Sequence, residues 1–197
     1  MKHPVKTIVW ALIGVVLVFA FVRFVLAGPK IVPQEFVDAR AKSVGLAEEI
    51  VFLANKSLAS LETISKYDAE HNVNEALIAV SKELILSKDV SQRAVALSNE
   101  LAKMAQQIPN IRPADARDTA AEAITYEVNL VSRLIAYNDS LRELFEFLRS
   151  KFTGKLPADT DGKVRELIAK INASANAIND LNVTFNETLK KFDAFYK

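Results

Sequence analysis

The chain has 197 residues, with 25 basic and 24 acidic side chains and a formal net charge of +1. So even a balance excludes a general nucleic-acid binder, which would show a basic excess or stripe. The absence of cysteine excludes a disulfide framework, a thiol nucleophile and a thiolate metal site.

The first element is a stretch of about 23 mostly apolar residues, Val5 to Ala27, which as a helix would be roughly 34 Å long. A bilayer core needs about 20 residues, so a retained transmembrane helix fits without strain. Arg23 lies about one turn from its end and can snorkel to the headgroups. Trp10 sits near the other edge, as an interfacial aromatic does. The competing reading is a signal peptide. Lys2 and Lys6 make a basic start, and Val25-Leu26-Ala27 offers small or modest residues at a cleavage site. The long apolar run and the intrusion of Arg23 favour the retained anchor. Lysines and arginines are balanced on the two sides (Lys2 and Lys6 against Lys30, Arg40 and Lys42), so the positive-inside count does not fix the orientation. The expected location is the cell membrane, single-pass, with the extracytoplasmic side favoured for the rest of the chain.

After a short neck with two prolines, residues 29–33, four helices follow. Helix one is predicted from about Gln34 to Asp68, with Pro33 in its first turn. Val37, Val44, Ala47, Val51, Ala54, Leu58 and Leu61 form its stripe, and Leu46, Ile50, Leu53 and Ile64 widen it, as suits contact with two neighbours. In the turn "EHNVNE", Asn72 and Glu75 have capping-box spacing. Helix two is predicted from about Val73 to Ile108. Val73, Leu77, Val80 and Leu84 keep one phase and Val90 to Ile108 another, which reads as a phase shift between Leu84 and Val90. Pro109 and Pro113 then forbid a continuous helix.

Helix three is predicted from about Pro113 to Phe152, its stripe running Ile124, Val128, Val131, Ile135, Asn138, Leu141, Phe145, Leu148 and Phe152. Helix four is predicted from about Gly162 to Phe195. There Val164, Ile168, Ile171, Ala175, Ile178, Asn182, Phe185, Leu189, Phe192 and Tyr196 alternate steps of four and three, a coiled-coil-like seam. The fold class is therefore all-α: an N-terminal transmembrane helix followed by an antiparallel up-down bundle of four long helices.

Residues that carry chemistry are sparse. His71 lies in the turn after helix one beside Glu70, without the second histidine a metal site would need; a solvated turn is the expected setting. Helical di-metal sites need Glu-x-x-His motifs on facing helices, and hydrolase elbows, P-loops and dinucleotide fingerprints are missing from the sequence. No catalytic residue, metal or cofactor is assigned, and the chain is not expected to be an enzyme. Asn172, Asn182 and Asn186 match glycosylation acceptors, yet they sit on a strong helical period. Asn138 and Asn182 fall in the predicted seams, where buried amides can fix register, either by pairing across the bundle or by bonding to water.

Three stretches, in order, carry a resemblance. "LETISKYDAEHNVNEALIAV" presents Glu62, Thr63, Tyr67 and His71. "LSNELAKMAQQIPNIRPAD" presents Pro109, Ile111 and Arg112. "YEVNLVSRLIAYNDSLREL" presents Glu127, Asn129, Arg133, Tyr137, Asn138 and Arg142. Over about 36–152 the chain resembles the LemA family of bacterial membrane-anchored helical proteins. It departs from the family in the transposed Glu70-His71 pair and in lacking the Ala-Trp pair and the Arg-Arg-x-Asp-Leu-Ile-Pro-Asn run in helix one. It also continues into a fourth helical segment, 160–197. The resemblance implies that residues 1–28 stay as an anchor and that 34–197 form a bundle beside the membrane, with no catalytic residues to carry over.

The reading that follows is a membrane-anchored interaction or scaffold protein of the bacterial cell envelope. Its expected partners are the lipid bilayer and a second protein or another copy of itself, and not nucleic acid. A small-ligand-sensing bundle and a cleaved, secreted helical protein, oligomeric through the helix-four seam, are the alternatives.

Overall fold

The computed structural model describes residues 32–155 and 160–196. Val5, Trp10, Arg23 and Ala27, on which the anchor rests, lie outside the described residues. Among the described residues no helix is long and apolar enough to cross a membrane.

Four long helices account for nearly all of the described chain: α1 (Gln34–Ala69), α2 (Val73–Gln107), α3 (Ala114–Phe152) and α4 (Thr160–Ala194), with a short 3-10 turn at Ile108–Asn110. Side-chain bonds fix their directions. Glu35 at the start of α1 accepts a hydrogen bond from Gln107 at the end of α2. Lys151 at the end of α3 reaches Asp68 at the end of α1, 2.5 Å away. Arg40 near the start of α1 pairs with Asp193 near the end of α4. The helices thus run up, down, up and down, each about 50 Å long at 1.5 Å per residue. Neighbours in sequence pack along their lengths, while α1 and α4 stand further apart.

The turns follow from local chemistry. After α1 the Asn72 amide donates to the Tyr67 carbonyl (2.8 Å) and the His71 amide to the Asp68 carbonyl (3.1 Å), which together make a Schellman cap. Its left-handed position is held by His71, at φ 57°. After α3 the same pair of bonds joins Lys155 to Ser150 (2.9 Å) and Gly154 to Lys151 (3.1 Å), here with a glycine at φ 73°. Asn72 does stand at the N-cap position of α2, but its side chain makes no capping bond. Its amide is spent on closing the preceding helix instead.

Three expected stripes change. In the first half of α1 the buried residues are Phe36, Ala39, Arg40 and Ser43, while Val37, Val44 and Ala47 are only partly buried. The α2 seam has no phase shift: Ala76, Val80, Glu83, Ser87, Val90, Ala94, Leu97, Leu101 and Met104 are all buried, in alternating steps of four and three. Glu83 and Ser87 fill the positions that looked like a break, and Val73 is exposed. In α3, Val128 and Ile135 are 47% and 37% exposed. The buried line runs instead through Ala123, Leu130, Tyr137 and Leu144, with Ile124, Val131, Asn138, Leu141 and Phe145 beside it. The alanines Ala116, Ala120 and Ala123 bring α3 close to its neighbours and carry the stripe around. In α4 the predicted seam holds from Ile171 to Phe192, with Ile171, Ala175, Ile178, Asn182, Phe185, Leu189 and Phe192 buried inside the bundle, whereas in the first turns Leu167 is buried and Val164 and Ile168 only partly so. That burial places the seam against the other helices of the same chain.

Candidate functional site

Polar side chains interrupt the apolar core at several places, of which four are the most elaborate. At the end where α1 begins and α4 finishes, Phe36 meets Phe192 (ring centroids 5.8 Å apart) and Phe192 meets Tyr196 edge-on at 5.2 Å. The Arg40 guanidinium lies 5.7 Å from the centre of the Phe192 ring and donates from Nη1 to Asp193 Oδ1 at 3.1 Å. The Tyr196 hydroxyl donates to the Arg112 carbonyl (2.9 Å), so the end of the chain is fastened to the α2–α3 connection. This pair clamps α1 to α4 where their backbones are well separated.

One level further along, α3 places Glu127 beside a small apolar cavity of about 40 Å³ that all four helices line, among them Val51, Leu97, Val131, Ile178, Asn182 and Phe185. Glu127 is half-buried as a residue, and its carboxyl is the desolvated part. Burial pushes that carboxyl up to about 7, against an opposing pull from the Arg40 charge.

At mid-height Asn138 joins α3 to α2. Its Nδ2 donates to the Ser87 carbonyl (3.0 Å) and to Ser91 Oγ (3.1 Å), and its Oδ1 accepts from Ser87 Oγ (3.1 Å). Asn138 therefore does not pair with Asn182, whose carbonyl and Oδ1 accept from Asn186 within α4. Tyr137, next to Asn138, is buried, and burial pushes its phenol well above the ordinary range.

The fourth place is a groove of about 370 Å³ between the second half of α1 and the first half of α2. Glu83 lies in it, only 3% exposed. Its Oε1 accepts from Ser60 Oγ at 2.6 Å, while its Oε2 is buried without a hydrogen-bond partner. A buried acceptor left unmatched costs about 1–3 kcal/mol. Lys56, Lys82 and Glu75 line the same groove with Thr63 and Tyr67.

The residues that carry the resemblance do not converge. Thr63 and Tyr67 line the groove, whereas Glu62 and His71 are exposed on α1 and its turn. Pro109 belongs to the 3-10 turn, where Arg112 donates to its carbonyl (2.9 Å). Glu127, Tyr137 and Asn138 face inward on α3, while Asn129 and Arg133 are exposed on the other side of it. Among the described residues no group of three or more His, Cys, Asp or Glu side chains is placed to hold a metal. Sequence reasoning missed Arg40, Glu83 and Asp193. The first two were detectable as charged residues standing at seam spacing, Arg40 between Val37 and Val44, and Glu83 between Val80 and Ser87.

No family's sequence model, no curated protein and no solved structure matches the chain.

Proposed function

We propose that this protein is a single-pass membrane-anchored helical scaffold of the bacterial cell envelope, related to the LemA proteins and without catalytic activity, whose bundle presents long helical faces to a protein partner. The observation that carries this reading is the apolar stretch Val5 to Ala27, long enough to span a bilayer, leading through two prolines into a bundle that begins at Gln34. The LemA-like order of segments supports it, because that family keeps its first helix. Polar groups inside the bundle serve to clamp and register the helices, as the Arg40–Asp193 pair and the Asn138 bonds illustrate. Carbonate washing of membranes tests the anchor: the chain is expected to stay in the pellet, and its release into the wash would refute the proposal. The α1–α2 groove favours a second reading, a bundle that also senses a small ligand.

A further inference from the structure

Glu83 is the least expected side chain in the bundle. It occupies a seam position of α2 between Val80 and Ser87, where an apolar residue would pack, and it is almost fully buried. One carboxyl oxygen takes the Ser60 hydroxyl at 2.6 Å and the other takes nothing. Carboxylates buried in this way are normally matched by a cation or by further donors. The groove above it supplies two cations that do not match it. Lys56, one turn from Ser60, and Lys82, next in sequence to Glu83, both line the groove and are exposed.

Along α2 the groove extends from Leu86 to Glu75, about 16 Å at 1.5 Å per residue. Its charged lining is Lys56 and Lys82 against Glu75 and Glu83, formally neutral, so it favours neither a net cation nor a net anion. Ile78, Ala79 and Leu86 give it apolar walls, and Ile78 is exposed.

We propose that this groove binds a small zwitterion, an α-amino acid with an apolar side chain, its carboxylate between Lys56 and Lys82 and its ammonium group on Glu83 Oε2, which is covered in the unliganded bundle and turns into the groove as the ligand enters. The side chain then lies along Ile78 and Ala79 towards Tyr67. Binding supplies the donor that Glu83 lacks and uses both rim cations, with no net charge to bury. The proposal goes beyond the anchor reading and does not depend on it, since every residue involved lies in the bundle.

The test is isothermal titration calorimetry of the full chain in nonionic detergent with L-leucine, with 3-methylbutylamine, which lacks the carboxylate, and with 4-methylpentanoate, which lacks the ammonium. A ligand this small in an open groove should bind at about millimolar concentration. Each truncated analogue should bind about tenfold more weakly or worse, as expected for losing a charge-assisted contact. Glu83→Gln should weaken leucine by a similar factor and leave 4-methylpentanoate unchanged.

A measurement that does not depend on that variant uses Ile78→Cys, the sole cysteine in the chain. Its modification by a maleimide should slow as leucine is added. The proposal is overturned if leucine gives no saturable heat, if a natively folded Glu83→Gln binds it unchanged, or if leucine leaves the Ile78→Cys rate as it was. None of these results touches membrane retention, so failure here and failure of the anchor are separable.

Discussion

Glu127 should make the bundle sensitive to pH in an unusual direction. Its carboxyl is pushed up from 4.5 to about 7 by burial beside the apolar cavity. In the unfolded chain it titrates near the ordinary value, so between about pH 4.5 and 7 the folded state holds the proton and the unfolded state has released it. Stability therefore falls as pH rises through this window. A shift of about 2.5 units at 1.36 kcal/mol each gives about 3 kcal/mol at most. The whole contribution is present below pH 4.5 and lost by about pH 7.5. Glu127→Gln keeps the shape of the side chain and removes the titration. Urea unfolding followed by circular dichroism, at intervals from pH 4.5 to 8, should show the variant gaining on the parent by about 3 kcal/mol across the window. A difference that stays flat with pH would refute the argument, because it would mean that the carboxyl is solvated in the folded state.

Three further outcomes follow from packing and backbone geometry. Asn138→Ala removes three hydrogen bonds between α3 and α2 and should lower stability by about 2–3 kcal/mol in the same urea assay. Phe185→Ala enlarges the cavity beside Glu127 and should cost about 3–5 kcal/mol; a change near zero would mean that α4 does not pack on the bundle. Gly45 lies inside α1 with open space where a Cβ would point, so Gly45→Ala should raise stability by about 0.5–1 kcal/mol, read as a higher urea midpoint.

The four-helix plan was legible because apolar residues at steps of three and four are a direct record of burial. The break between α2 and α3 was legible because Pro109 and Pro113 cannot continue a helix. The α4 seam could be read residue by residue from Ile171 to Phe192. The α2 seam could not, since Glu83 and Ser87 occupy it and periodicity counts only apolar side chains. In α3, Val128 and Ile135 fit the period as well as the residues buried in their place. What decides between two such faces is the position of neighbouring helices, which a single helix does not encode. The polar sites were least legible of all. Arg40 and Asp193 are 153 residues apart in sequence, and Ser60 and Glu83 meet only once α1 and α2 are antiparallel. A charged residue at seam spacing was the available signal, and it becomes meaningful only when its partner is in place.

The central claim is that the bundle remains tethered by the segment that precedes it. The most direct measurement is the intact mass of the chain recovered from carbonate-washed membranes. When the 197-residue chain, 21.8 kDa, is expressed, a tethered protein is recovered from the membrane pellet at that full mass. A chain that begins at Gly28, or one found in the wash, would contradict the account.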